Sequence, residues 1–335
     1  MTAVLPAAGE GLLGGGVAIV AGPETAPARP APGPARPLRV ALAGCGVVGG
    51  GVAARLLSDA RFDLVGVLVR DPDKARDVAV PEGLLLSDPG ALLAREPDVL
   101  IEAISDASTG LALIRAALSR GVDVVSANKQ AVGADLPALV ALASGAGARL
   151  LYSASVGGGA PLIETVRRAR AQGEIVRIEA VLNGTCNFIL NRLAEGRAFE
   201  AALDEARAAG FAEADPTADL TGLDAAAKLA ILAWEAADWR LPVGSVARET
   251  LSGARPVPGR VRQVARLDRD RGEAFVRFEA KDGDALFASL ADEANAIRVT
   301  TADGRLFTAA GRGAGRVPTA ESVWADLIDL VPAPG

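Results

Sequence analysis

A chain of 335 residues that is half hydrophobic and 23% charged can bury a large core, and at the usual ~150 residues per domain it divides into about two. A formal net charge of −6 excludes a nucleic-acid partner, because phosphate binding needs a concentrated basic surface. No stretch is long and apolar enough to span a membrane, and Cys45 and Cys186 have neither metal-ligand spacing nor a disulfide framework around them, so a small-molecule ligand and a reducing, cytoplasmic setting are expected.

Residues 1–37 end in PETAPARPAPGPARP, whose prolines and alanines predict a disordered or loosely attached extension. The apolar run from Leu12 to Gly22 is short, follows Glu10 rather than a basic residue and lacks a cleavage site, so it is not read as a signal peptide. From Leu38, LRVALAG predicts a buried strand, then a glycine turn, then a helix in VVGGGVAARLLSD. Asp63 to Val69, Asp98 to Ile104 and Val122 to Ser126 predict three more strands with helices between them. That alternation implies a doubly wound parallel sheet of Rossmann type over residues 38–151.

The pattern changes after Leu151. Residues 152–315 read as a second, α+β domain: a glycine loop into a helix in SASVGGGAPLIETVRRA, a strand in EIVRIEAV, a helix from Asn187 to Gly196, and strands at Ala274 to Ala280 and Ala296 to Thr301. Thr319 is expected to cap a terminal amphipathic helix, and residues 316–331 to complete the first domain.

GCGVVG, Gly44 to Gly49, matches G-x-G-x-x-G directly after a strand and before a helix. Gly44 would make the tight turn, Gly46 let the backbone approach a pyrophosphate, and Gly49 bring helix and strand together. The helix N-terminus would then offer N–H groups and a positive dipole end. At the end of the second strand Arg70 precedes Asp71 and Lys74. Arg70 can pair with a 2′-phosphate, which favours NADP(H); it can equally be a solvated charge in an arginine-rich chain, which leaves NAD(H) open.

GFAEADPTADLTGLDAAAK, Gly210 to Lys228, gathers Glu213, Asp215, Asp219, Asp224 and Lys228. Thr221 and Asp224 resemble a capping box, predicting a helix that starts near Gly222 and carries Asp224 and Lys228 on one face. Taken alone, that spacing is an ordinary surface ion pair. Two features argue for more. The helix continues through AAAKLAILAWEAA, an apolar context, and only four of the 35 basic residues in the chain are lysine. Proton transfer is work that lysine can do and arginine cannot, and histidine is absent. Lys129 follows a predicted strand through a short turn, where ligands of parallel sheets bind.

The segment from Gly210 to Lys228 resembles the signature of homoserine dehydrogenases. SANKQAV, SVGGGAPLIETV, NGTCNFIL and GRGAGRVPTAESVWADLIDL are similar to further segments of that family, in its order, so that the resemblance runs from Leu38 to Leu330. It implies interconversion of L-aspartate 4-semialdehyde and L-homoserine with a nicotinamide cofactor, a step toward threonine and methionine. It also implies a homodimer formed through the second domain, which would bind substrate and carry the catalysis.

By motif position, Lys228 and Lys129 would handle protons and Asp224 would orient them. Glu213, Asp219, Thr185 and Gly184 would hold the amino-acid substrate. Gly44, Gly46, Val47, Val48, Gly49, Arg70, Ser105, Asn128, Lys129 and Gly313 would contact the cofactor. The backbone carbonyls of Ser153, Val156, Gly158 and Ala160 match the family's monovalent-cation loop, implying sodium. Departures are Phe211 for the commoner Tyr, Ala218 for a second acid, Cys186 for Thr or Ser, and Ser153 where Glu is common. They leave open a relative acting on another amino-acid semialdehyde or alcohol, or a non-catalytic NAD(P)-binding protein, against which the two lysines count. No amino-acid-binding regulatory domain follows the last helix in this sequence, so feedback control by that route is not expected.

Overall fold

The computed structural model describes residues 36–253, 259–313 and 316–331; residues 1–35 of the expected extension lie outside them. The first half alternates strand and helix because its apolar runs are short and each ends at a turn residue. In chain order it comprises β1 (Leu38–Ala43), α1 (Val47–Leu56), β2 (Phe62–Leu68), β3 (Leu85–Leu86), α2 (Pro89–Leu93), β4 (Val99–Glu102) and α3 (Ala107–Leu118). β5 (Asp123–Ser126), α4 (Lys129–Ala134), α5 (Leu136–Gly145) and β6 (Leu150–Leu151) follow. All pairs are parallel, in the order β3-β2-β1-β4-β5-β6. The expected doubly wound sheet is therefore present, with its strand order reversing between β1 and β4. Val40 to Ala43 are completely buried, as a central strand covered on both faces requires.

The second half comprises α6 (Leu162–Gln172), β7 (Ile175–Val181), α7 (Gly184–Ala194), α8 (Phe199–Ala208), α9 (Thr217–Leu220), α10 (Leu223–Ala237) and β8 (Ala247–Arg248). β9 (Val261–Asp268), β10 (Glu273–Ala280), α11 (Ala285–Ala288), β11 (Ala294–Thr301), β12 (Leu306–Arg312) and the terminal α12 (Arg316–Leu330) complete it. Its sheet runs β12-β11-β7-β9-β10-β8 and is antiparallel except where β8 joins β10. One face is apolar, through Ile178, Ala265, Leu267, Val276, Ile297 and Val299, and these join the core cluster that also takes in α6 and α10. On the other face Glu179 lies opposite Arg266 and Arg298 in register and pairs with Arg266 at 2.6 Å. α12 returns to the first sheet: Ala320 and Val323 join the cluster around Val52 and Leu56, and Trp324 stacks edge-on against Phe62.

Several local expectations are corrected. Thr319 does not cap α12, which already starts at Arg316 and places Thr319 inside its first turns. α7 begins at Gly184, ahead of the expected Asn187, because the Asn183 side chain accepts from the Cys186 N–H and caps it. Thr221 and Asp224 form no capping box. Gly222, at φ 72°, is the residue that precedes α10; Thr221 Oγ1 donates back to the Thr217 carbonyl, and the Asp224 carboxylate is used elsewhere. β3, β6, β8, β9 and β12 were not anticipated. The first three are two residues long, and β9 is buried on both faces, so neither shows an alternating pattern.

Candidate active site

The turn from β1 into α1 is shaped by what its glycines lack. Gly44 sits at φ 93°, and a Cβ there would lie 2.5 Å from the Ala103 carbonyl oxygen. A Cβ on Gly49 would lie 1.9 Å from the carbonyl oxygen of Gly44, so helix and turn could not meet with any larger residue. At Gly46, which precedes α1, an added Cβ would meet no protein atom within 4 Å, leaving open space over the helix N-terminus. Val47 is 64% exposed at the first position of α1, and Val48 is half-buried. A helix start with no obstructing side chain over it offers backbone N–H groups and a positive dipole end to an anion.

Arg70 lies two residues beyond β2 and is exposed. Its charge adds to hydrogen bonds from Thr109 and Ser108 that bring Asp106, the N-cap of α3, down to about 2. Ser105, next to Asp106 on the loop after β4, is exposed at the same edge. Gly313 is buried against Asn295: a Cβ on Gly313 would fall 2.3 Å from the Asn295 side chain.

Two of the four lysines converge on one carboxylate. Lys129, at the first position of α4, lies 2.5 Å from Asp224 Oδ1, and Lys228, one turn beyond Asp224 on α10, lies 2.8 Å from Oδ2. Lys228 Nζ also donates to the Leu182 carbonyl at 2.7 Å. Burial opposes the charge of Asp224, but the two ammonium groups outweigh it and hold the carboxyl well below the usual aspartate range. Burial likewise opposes the charge of Lys129, which Asp224 restores with weaker help from Asp219 and Glu213, so that it stands above the usual lysine value. Asp224 is 4% exposed, whereas the Lys129 side chain keeps 37% of its surface open to solvent.

The remaining acids and Thr185 surround this centre. Asp219 on α9 is raised by burial and by repulsion from Asp224, against a hydrogen bond from Asn183 and the pull of both lysines. Glu213 is exposed on the loop before α9, close enough for its charge to act on Lys129. Thr185 Oγ1 donates to the Phe211 carbonyl at 2.6 Å, and Gly184 lies where a Cβ would meet the Glu293 carbonyl at 2.8 Å. Cys186 donates to the Asp219 carbonyl, and burial pushes its thiol far above the ordinary value, so it is no nucleophile.

The loop from Ser153 to Ala160 runs beside α12. Ser153, Val156, Gly158 and Ala160 are all buried, and Gly157 and Gly158 take left-handed φ of 93° and 60°. Ser153 N–H donates to Asp326 of α12, whose carboxyl burial raises to about 6. Within the loop the Ser153 carbonyl accepts from the Val156 N–H at 3.2 Å and the Ala160 carbonyl from the Leu162 N–H at 2.8 Å, so both have a backbone partner. Among the described residues no cluster of three His, Cys, Asp or Glu side chains could hold a metal.

Sequence reasoning missed a buried layer beneath these residues. Glu102, at the end of β4, is completely buried and accepts from Ser126 Oγ at 2.6 Å and Ile104 N–H at 2.9 Å. Asn128 Nδ2 donates to the Ile104 carbonyl while its Oδ1 caps α4, which aims Lys129. A charged residue inside the apolar run VLIEAI was the available signal. At the far end of α10, Arg167 of α6 pairs with Glu235 at 2.8 Å and fixes the helix that carries Asp224 and Lys228.

Two family descriptions match this chain: homoserine dehydrogenase over residues 161–328, and the NAD-binding domain of homoserine dehydrogenase over residues 44–153. The homoserine dehydrogenase of Corynebacterium glutamicum is 34% identical in an alignment 327 positions long that covers 89% of this chain and 73% of that one. The crystal structure of a homoserine dehydrogenase from Thiobacillus denitrificans is 31% identical and superposes with a TM-score of 0.79, covering 88% of this chain and 73% of that one. A hyperthermophilic archaeal homoserine dehydrogenase in complex with NADPH, 24% identical, shares the fold at a TM-score of 0.76 over 87% of this chain and 97% of its own. The matched ranges contain both the glycine turn and the carboxylate with its two lysines, and the chain belongs to the homoserine dehydrogenase family.

Proposed function

We propose that this chain interconverts L-aspartate 4-semialdehyde and L-homoserine with a nicotinamide cofactor, and that Lys228 and Lys129 move the proton. The observation that carries this reading is the convergence of two scarce lysines, 99 residues apart in sequence, on the buried Asp224. The bound nicotinamide supplies or accepts the hydride. In the reducing direction the alkoxide that develops on substrate needs positive charge and a proton, and a lysine ammonium held by Asp224 and the Leu182 carbonyl offers both. In the oxidising direction the same nitrogen takes the proton back.

Glu213 and Asp219 hold the substrate ammonium, with Thr185 and the Gly184 N–H at the start of α7 in polar contact with the rest of the substrate. Gly44, Gly46, Val47, Val48 and Gly49 cradle the pyrophosphate, and Ser105, Asn128, Lys129 and Gly313 line the nicotinamide end. Arg70 favours NADP(H) over NAD(H). Sodium held by the carbonyls of Ser153, Val156, Gly158 and Ala160 would brace the loop against α12. A cytoplasmic homodimer joined through the second half completes the reading, and sedimentation velocity checks its stoichiometry.

The purified chain should oxidise homoserine with NADP+ or NAD+. Lys228→Arg should bind cofactor as the wild type does and lose turnover by about three orders of magnitude, the middle of the range that acid–base catalysis contributes. Full turnover by that variant removes the proton-transfer role; oxidation only of a different amino alcohol removes the substrate assignment.

A further inference from the structure

Asn183 is 2% exposed and uses its whole side chain. Its Oδ1 accepts from the Cys186 N–H and caps α7. Its Nδ2 donates to Asp219 Oδ1 at 2.6 Å and to Asp224 Oδ2 at 2.9 Å. A primary amide has two hydrogens to give, and here each goes to a carboxylate with a different partner. Asp224 holds the lysines; Asp219 lies beside them with its charge disfavoured by burial and by Asp224.

We infer that Asn183 is a positioning residue: its amide bridges Asp219 and Asp224, keeping Asp219 off the lysines and available to a cation that enters from solvent. This rests on the function proposed above, in which that cation is the substrate ammonium. Without the bridge Asp219 is free to turn onto the ammonium of Lys228 or Lys129, which already attract it. Substrate would then compete with a lysine for its own counter-ion, and the lysine would be tied to two carboxylates. Both KM and kcat suffer, for one reason.

The neighbouring charges make the effect readable in the pH profile. The titratable groups that face Lys228 and Asp224 are Lys129 from α4, Asp219 from α9, Glu213 from the loop before α9, and the thiol of Cys186 from α7. A second carboxylate on the lysines stabilises the ammonium form, so the limb on which homoserine oxidation rises with pH must move to higher pH.

Asn183→Ser separates bridge from cap, because serine is about as good an N-cap as asparagine but cannot span both carboxylates. The full chain should keep its thermal midpoint and its NADPH dissociation constant, lose about tenfold in kcat, raise KM for homoserine about tenfold, and shift the pH limb upward. A wild-type kcat, KM and pH limb in this variant would overturn the inference and leave only a cap. If the serine variant loses its melting transition, Asn183→Asp decides: aspartate caps as well but repels both carboxylates, so an unmoved pH limb there likewise overturns the bridge. Wild-type chain in the same assay keeps the two readings apart, since absence of homoserine turnover by the wild type itself removes the proposed function and this inference with it.

Discussion

The turn Gly44 to Gly49, which follows β1, and the cluster of Asp224, Lys129 and Lys228, whose Lys129 follows β5, are built by opposite means. The turn holds its shape because three residues lack a side chain: a Cβ at Gly44 or Gly49 would strike backbone, and at Gly46 the space stays open. The cluster holds its shape because every member carries a charge or an amide that meets another. A site that binds phosphate through backbone N–H groups needs proximity, which glycine supplies. A site that moves a proton needs a group whose protonation can change, and this requires side chains with fixed partners. The two should therefore fail differently when changed.

The largest expected failure is at Asp224. Asp224→Asn leaves two ammonium groups beside a buried neutral amide; kcat should drop by about three orders of magnitude, and stability by about 3–5 kcal/mol, the usual cost of breaking a buried ion pair. The pH dependence has a definite sign. The folded carboxyl titrates below its unfolded value, so its contribution is complete above the ordinary aspartate value and is lost as pH falls through the depressed one. The gap in thermal midpoint between wild type and variant should be full at neutral pH and close only in strong acid. A gap that does not narrow in acid would break the assignment of that stability to the charge.

At the turn the corresponding change is Gly49→Ala, which sets a methyl 1.9 Å from the Gly44 carbonyl oxygen. NADP(H) affinity should fall roughly a hundredfold, about 2.7 kcal/mol. Asp224 and its lysines should be untouched, and kcat at saturating cofactor largely kept. If kcat and affinity fell together, turn and cluster would be one unit rather than two.

The same contrast decided what could be read in the sequence. G-x-G-x-x-G was visible because absence of side chains is a local property, and the four long-run strands of the first sheet were found within about two residues at either end. The cluster was half visible. Asp224 and Lys228 share a helix turn, so their pairing follows from spacing, whereas Lys129 joins them only through the fold. The place of Asn183 beside Gly184 and Thr185 marks it as a polar contact, but its bridging role escaped, as did Glu102, because a bridging amide and a buried carboxylate act across elements and no spacing along the chain encodes that. β9 escaped for a related reason: Arg262 and Gln263 are neighbours on opposite faces and both are buried, so polar residues fall on both faces and the alternation is broken.

Arg70 tests whether the cofactor half also depends on any charged side chain. Arg70→Ala should weaken NADPH about tenfold, near 1.4 kcal/mol, and leave NADH unchanged, because only a 2′-phosphate gives the guanidinium something to pair with. Equal losses for both cofactors, measured by fluorescence titration, would make Arg70 a general field effect through Asp106 rather than a phosphate ligand.

The smallest expected effect on activity lies outside both regions, where α12 meets the loop that starts at Ser153. Asp326 of α12 is 3% exposed, accepts from the Ser153 N–H, and is raised to about 6 by burial. Its folded value lies above the unfolded one, so the sign is opposite to that of Asp224: stability is fullest below the ordinary aspartate value and falls as pH rises toward 6, after which the penalty is constant. A rise of that size corresponds to at most about 3 kcal/mol. Asp326→Asn keeps an oxygen for Ser153 and removes the charge. It should therefore melt a few degrees above the wild type at pH 8 and lose that advantage near pH 4, with little change in kcat. The outcome also bears on the cation loop. If sodium at the carbonyls of Ser153 and its neighbours offsets the buried carboxylate, the advantage of the variant at pH 8 should shrink when sodium replaces a large organic cation in the buffer. An advantage that ignores sodium would mean that the carboxylate and the loop are not coupled.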